Sequence, residues 1–422
     1  MAVKISKLFS EGTESVDDFK KLIEKNLKVP TTKLLEIILG GAVSLRASDL
    51  HFEPQEKVVR LRIRIDGLLH DILDMDLSLY KGIVSRVKFL SKAKLNVTDR
   101  PQSGRFTIET EEREIEARTS VLPSEEGESI VLRILDPEKL VKMEDLGLRD
   151  DLLSVFDKEI KKPNGMVIIT GPTGSGKTTT LYAFLKKIQK PGIKIITIED
   201  PIEYHLEDIT QTQTNPSKGY TFASGLKSIM RQDPDVILVG EIRDGETAKI
   251  AIQAALTGHL VFSTLHTNDA AGTIARMISL GANPMNLGPA INVIVAQRLV
   301  RKICEKCGVM EKPTLEELEK IKKILSPLLK TIHLPVLDSS LRIPKAKGCK
   351  YCNNTGYQGR VGIFESFLMD DEAEKFILTN PSIAALREKS VERGMVTMGQ
   401  DGMIKVLKKM TTIEEVERVS EI

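Results

Sequence analysis

The 422-residue chain contains no tryptophan, and its aromatic residues together make up 4% of it. Stacking platforms for unpaired bases are built from aromatic faces, so they are scarce here. A surplus of one charge is also missing, because 61 Lys and Arg meet 59 Asp and Glu, a formal net charge of +2. A protein that coats DNA or RNA needs a basic excess to neutralise phosphates, so nucleic acid is not an expected partner. No run reaches the ~18 apolar residues of a membrane-spanning helix. The most apolar early stretch, Leu34 to Leu45, is short and carries Glu36. The opening MAVKISKLFSEGTES lacks the apolar centre of a secretory signal. Only four cysteines are present, all in Cys-x-x-Cys pairs, which excludes a disulfide-stapled secreted scaffold. What remains is a folded protein of two or three domains, with the cytoplasm as its expected compartment.

Residues 1–30 are polar and Lys-rich and read as a short arm or helix. From Thr31 the apolar residues Leu34, Leu35, Ile38, Ala42 and Leu45 fall near helical spacing, with Thr31 or Thr32 as cap. Val59 to Ile65 alternates apolar and basic residues with period two, a half-buried strand. Asp66-Gly67 is a tight-turn dipeptide, and Leu68, Leu69 and Ile72 begin the return strand. A helix over 82–93, a hairpin of 106–108 with 114–119, and a buried strand over 130–135 complete a small α+β domain at 31–140. A linker spans 141–150. Over 151–303 strands alternate with helices: strands at 166–170, 193–198, 236–239 and 260–263, helices at 178–189, 222–231 and 247–256. That alternation predicts an α/β core with a parallel sheet covered on both faces. A tetracysteine segment at 304–360 carries a charged helix over 314–330, and a helical region at 361–422 closes the chain.

Gly171-Pro172-Thr173-Gly174-Ser175-Gly176-Lys177-Thr178, continuing into Thr179, fits G-x-x-x-x-G-K-[ST]. Glycines let successive backbone N–H groups turn toward phosphate oxygens, and the helix that follows points its N-terminus at the same anion. The lysine reaches the outer phosphates and the Thr178 hydroxyl holds Mg²⁺, so ATP and Mg²⁺ are the expected ligands. A chain of this length matches the pattern by accident on the order of once in a hundred, and the flanking strand and helix lower that further. Hydrolysis also needs a metal anchor and a carboxylate that orients water. Two segments offer acids at the C-terminal ends of strands, where ligands sit in open α/β sheets. These are Glu199-Asp200-Pro201-Ile202-Glu203 and Asp233-Pro-Asp235 through Glu241. Asp233 and Asp235 read as turn residues, Glu203 and Glu241 as functional ones. His259 and His266 flank another core strand, and the sequence leaves open whether each is structural or senses a γ-phosphate.

Cys304-x-x-Cys307 and Cys349-x-x-Cys352 are separated by 41 residues. Two such knuckles complete a tetrahedral S₄ site for Zn²⁺. Four thiolates leave no open position, so the metal is structural; a redox dithiol is the alternative.

These motifs in this order resemble the secretion ATPases of type II secretion and type IV pilus assembly, the GspE/PilB type, from about Leu34 to the end. The resemblance rests also on Ala47-Ser-Asp-Leu-His-Phe-Glu-Pro54, Arg62-Ile-Arg-Ile-Asp-Gly67, Arg100-Pro-Gln-Ser-Gly-Arg105 and Thr355-Gly-Tyr-Gln-Gly-Arg-Val-Gly-Ile-Phe-Glu365. Glu199–Glu203 resembles the family's Asp box, Arg231–Asp244 its Walker B segment, and Thr257–Asp269 its His box. The resemblance implies a homo-hexameric motor with a RecA-like core and a PAS-like N-terminal domain. It implies Glu203 as the residue polarising water, Glu241 as the Mg²⁺-linked acid and His266 as a γ-phosphate sensor. It further implies that Arg105 and Arg118, less so Arg133, reach a nucleotide. Arg118 lies on the polar face of its strand, and an ion pair with Glu114 or Glu116 is the alternative. Arg60, Arg62 and Arg64 form a basic strand face, read as solvated or as a subunit contact. The implied partners are an inner-membrane platform protein and a docking protein at the cytoplasmic face. Larger members carry an added N-terminal domain for that docking, where about 30 residues stand here. Paired cysteines mark assembly and secretion motors, whereas retraction motors of the superfamily generally lack them.

Overall fold

The computed structural model describes residues 1–5, 13–137, 140–328, 332 and 334–420. Residues 6–12 of the expected arm, 138 and 139 near the end of the expected α+β domain, and 329–330 of the expected charged helix lie outside the described residues. The chain forms two compact units. Unit one comprises Met1–Glu138, Cys304–Gly308 and Ala346–Gly359; unit two comprises Lys139–Ile303, Val309–Lys345 and Arg360–Ile422.

Unit one opens with strand β1 (Ala2–Lys4), helix α1 (Val16–Lys25) and helix α2 (Thr31–Ser44). Ser15 caps α1, its hydroxyl accepting from the Asp18 amide at 3.2 Å. Thr31 does not cap α2. It is already helical, and Pro30 precedes the helix without a side-chain bond. There follow β2 (Asp49–Pro54), β3 (Val58–Ile65), β4 (Leu68–Asp76), α3 (Leu77–Leu90), β5 (Gln102–Glu109), β6 (Glu114–Ser124) and β7 (Gly127–Leu135). The seven strands form one sheet, order β1-β5-β6-β7-β2-β3-β4. Val59, Leu61 and Ile63 are buried in the core of this unit with Leu34, Ile38, Phe52 and Ile83. The β3–β4 turn is the two-residue kind expected of Asp-Gly: Ile65 pairs with Leu68, and Asp66 and Gly67 take φ of +48° and +87°. The arginines of β3 are not bare. Arg60 pairs with Asp74 at 3.1 Å, Arg62 with Asp71 at 2.8 Å, and Arg64 with Asp49 at 3.7 Å. The adjacent strands supply an acid for each.

Unit two runs α4 (Asp150–Glu159), β8 (Gly165–Thr170), α5 (Lys177–Ile188), β9 (Ile195–Glu199), β10 (Thr210–Gln213), α6 (Phe222–Ile229), β11 (Val236–Val239), α7 (Gly245–Leu256), β12 (Leu260–Leu265), α8 (Ala270–Ser279), α9 (Pro284–Ala290) and β13 (Ile291–Ile303). It continues with β14 (Val309–Glu311), α10 (Leu315–Leu325) and β15 (Ile343–Lys345). The last elements are β16 (Tyr357–Leu368), α11 (Asp371–Ile377), α12 (Ile383–Glu392), α13 (Met398–Leu407) and α14 (Ile413–Val419). Its main sheet has the order β10-β9-β11-β12-β8-β13-β16, with the neighbours from β10 to β13 paired in parallel. β8 is buried along its whole length. Met166 and Ile168 join one core and Val167 and Ile169 another, so alternate residues feed the two faces of the sheet. A buried charge cluster fixes the approach to α4: Asp401 accepts from Arg149 at 2.8 Å, from Lys405 at 2.6 Å and from the Phe364 amide at 2.8 Å. Among the described residues no helix is long and apolar enough to cross a membrane.

Candidate nucleotide site and cysteine cluster

The loop Gly171–Gly176 joins the C-terminal end of β8 to the first residue of α5, Lys177. Gly176 turns the chain into the helix at φ +88°, and a Cβ on Gly171 would stand 2.5 Å from the Gln297 carbonyl oxygen. Both glycines are therefore dictated by backbone geometry. Pro172, Thr173 and Gly174 are exposed at the mouth of the loop, and Thr178 and Thr179 are half-buried in the first turn of α5. Lys177 curls back, its Nζ donating to the carbonyls of Gly171 at 2.8 Å and Pro172 at 3.2 Å. Burial brings its pKa down to about 8 and the neighbouring Arg298 charge adds to that, while Glu241 opposes it. Ser175 Oγ is buried and lacks a hydrogen-bond partner. An unpaired hydroxyl inside a glycine loop, beside a lysine bonded only to carbonyls, fits an anion with oxygens to share.

The other strands end at the same edge. Glu241, just past β11, pairs with the Arg243 guanidinium and with His266 Nε2 at 3.4 Å. Arg243 also reaches Asp200 at 3.6 Å. Burial and the Lys177 charge hold the His266 imidazole below its ordinary range, against the pull of Glu241. Thr170, the last residue of β8, accepts from the Thr267 amide at 2.9 Å and lies 2.6 Å from the Thr267 hydroxyl, tying this loop to the phosphate loop. The structure thus brings Lys177, Glu241 and His266 together. His259 does a different job: its Nδ1 lies 3.0 Å from the Ala254 carbonyl at the end of α7. Asp235 accepts from the Lys194 amide at 2.7 Å, and Asp233 takes a left-handed φ of +53°, as turn residues do. Glu199 is buried, bonded by Thr197 at 2.6 Å and Gln211 at 3.1 Å and by the Tyr182 hydroxyl. Burial raises its pKa, and the charge of Glu203, half-buried four residues on, adds to the rise.

Two residues of β13 escape a sequence reading. Gln297 is buried and donates to the Ser175 carbonyl at 2.9 Å while accepting from Thr180 at 2.8 Å, bracing loop and helix together. Arg298 follows it. The only sequence signal is a polar pair breaking an apolar run.

Arg105 and Arg118 belong to unit one and stand opposite each other on β5 and β6. Both approach Glu116, Arg118 at 3.0 Å and Arg105 at 3.7 Å. Arg133 pairs with Asp49 at 3.0 Å. The ion pair weighed as the alternative for Arg118 is present.

The four cysteines also fall in unit one. Their sulfurs all lie within 4.8 Å of one another, with Cys304–Cys349 at 4.0 Å, Cys307–Cys352 at 3.7 Å and Cys349–Cys352 at 3.8 Å. Tetrahedral Zn–S bonds of about 2.3 Å place sulfurs about 3.8 Å apart, so the set fits a zinc ion. The amides of Cys349 and Gly356 each donate to Cys352 Sγ at 3.2 Å, which favours a thiolate.

A parallel α/β sheet carrying a lysine-bearing glycine loop, with an acid and a histidine at the same edge, defines a P-loop nucleotide-binding protein. The profile of the Type II/IV secretion system protein family matches residues 24–418. Type II secretion system protein E of Xanthomonas campestris pv. campestris is 42% identical over 410 residues, covering 96% of this chain and 70% of that protein. The type IV pilus assembly ATPase PilB of Myxococcus xanthus is 39% identical over 408 residues, with the same shares of 96% and 70%. A crystal structure of the pilus retraction motor PilT with bound ADP superposes with a TM-score of 0.60 at 25% identity, covering 91% of this chain and 96% of that one. The chain belongs to the Type II/IV secretion system protein family and is an ATP-hydrolysing enzyme of its secretion and pilus-assembly branch.

Proposed function

We propose that this ATPase powers pilin or pseudopilin assembly as a homo-hexameric ring. It would work on the cytoplasmic face of the inner membrane against a platform protein, with or without a separate docking protein. The observation that carries the reading is the convergence of Lys177, Glu241 and His266 on one sheet edge beside the unpaired Ser175 hydroxyl. Lys177 binds the outer phosphates of ATP, and loop amides hold the rest. Thr178 and Glu241 are the residues that would hold Mg²⁺, which when bound neutralises phosphate charge. Glu203 polarises the attacking water. His266, held neutral, donates or accepts at the γ-phosphate position according to its tautomer. Arg105 and Arg118 supply further positive charge toward a nucleotide, exchanging Glu116 for phosphate. Zn²⁺ on Cys304, Cys307, Cys349 and Cys352 is structural.

Steady-state ATP hydrolysis by Lys177→Ala protein tests the reading: turnover is expected to vanish, and wild-type turnover would refute it. DNA added to the wild-type assay is expected to leave the rate unchanged. Strong, salt-sensitive stimulation would favour a nucleic-acid motor instead.

A further inference from the structure

Arg298 stands two residues beyond Ala296, the last residue of β13 paired with β8, at the edge where the phosphate loop begins. Its Nη1 donates to the Gln297 carbonyl at 3.1 Å and its Nη2 to the Asn268 carbonyl at 3.0 Å. The guanidinium packs on the first glycine of the loop, with Nη1 3.2 Å from where a Cβ on Gly171 would stand. Lys177 donates to the carbonyl of that same glycine. Two cations therefore converge on Gly171. Among the described residues, Arg298 has no carboxylate within ion-pair distance, although it is half-buried. Arginines so placed ordinarily find an acid, because a partly desolvated charge without a counter-ion is unfavourable. Arg298 is instead held by two carbonyls, which orient the fork and leave its remaining N–H groups uncommitted, while the Glu365 and Asp269 carboxylates act on its charge from beyond ion-pair distance. Its charge is felt at Lys177.

We propose that Arg298 is a nucleotide-binding residue, a second cation supplied from the same unit as the phosphate loop, which donates to the phosphate chain beside Lys177. This rests on the nucleotide-binding reading above. The geometry explains why the loop needs glycine at its first position: a side chain there would displace the guanidinium as well as strike the Gln297 carbonyl. It also gives the loop after β12 a way to register phosphate, because Asn268 grips the same guanidinium.

The test is the affinity of the full chain for Mg-ADP and for a non-hydrolysable Mg-ATP analogue, read by fluorescence of a labelled nucleotide across a salt series. Arg298→Gln keeps a donor for a carbonyl and loses the charge; Arg298→Lys keeps the charge. The expected result is about tenfold weaker binding for Gln of at least the ATP analogue, a shallower salt dependence, and partial recovery for Lys. Apo melting temperatures report folding of each variant. Wild-type affinity in Arg298→Gln, or equal losses in Gln and Lys with an unchanged salt slope, would overturn the assignment and leave Arg298 a strut. Lys177→Ala run alongside separates the two readings. If it too binds normally, the nucleotide site itself is misplaced; if it alone loses affinity, only Arg298 is.

Discussion

Lys177 is charged in a place that disfavours charge. Burial and Arg298 together outweigh Glu241 and bring its pKa to about 8. A bound phosphate has the opposite sign and raises that value, so binding takes up protons above neutral pH. The sign follows: affinity for Mg-ADP is expected to be full below pH 8 and to fall as pH rises through it. Titration calorimetry at pH 7 and pH 9, in buffers of differing ionisation heat, measures both the loss and the proton uptake; equal affinities at the two values would contradict it. Gln297 is the other residue whose removal has a defined consequence. Gln297→Ala strands the Thr180 hydroxyl and the Ser175 carbonyl in a buried site, at about 1–3 kcal/mol of stability measured by urea unfolding. The glycine-lysine motif was legible because its logic is local. Gln297 was not, because its partner Thr180 lies 117 residues away and only the fold unites them.

At the level of elements, legibility followed periodicity. The alternation of β3 and the Asp66-Gly67 turn could be read directly, and so could the short apolar strands β8, β11 and β12. β13 was harder. Its apolar run over 293–296 suits helix and strand equally, and the short α9 with Pro284 at its start abuts β13 without a linker. α2 shows a second limit: cap chemistry suggested Thr31, but Pro30, with φ fixed near helical entry, took the place. The buried charges on α13 carry no such signal, since an acid and a lysine spaced four apart on a helix are ordinarily a solvated pair. Asp401 and Lys405 are instead buried with Arg149. Asp401→Ala would leave the buried Lys405 without an acid and Arg149 with Asp151 alone, and is expected to destabilise unit two by about 3–5 kcal/mol in thermal unfolding. Asp401→Asn, which keeps an acceptor for the Phe364 amide, should lose less.

For the whole molecule, the metal cluster sits apart in sequence from the unit it completes. Asn353, next to Cys352, accepts from the Val16 amide at 2.7 Å; Lys350 pairs with Asp18 at 3.1 Å; and Asp66 accepts from the Gly359 amide at 2.7 Å. The knuckle therefore holds α1 and the β3–β4 turn. Purified, reduced protein is expected to carry about one zinc per chain by elemental analysis. Stripping it should raise hydrogen exchange in 16–25 and 346–359 well before β8 and β11 respond. Uniform change across both units would refute that ordering.

The same connectivity imposes a timetable on the ribosome. The contact between Val16 and Asn353 spans 337 positions. Unit one, though encoded first, therefore cannot be finished until most of unit two has left the exit tunnel. Its opening helix must wait, uncapped by its partner, through the synthesis of strands β8 to β13 of the nucleotide-binding sheet.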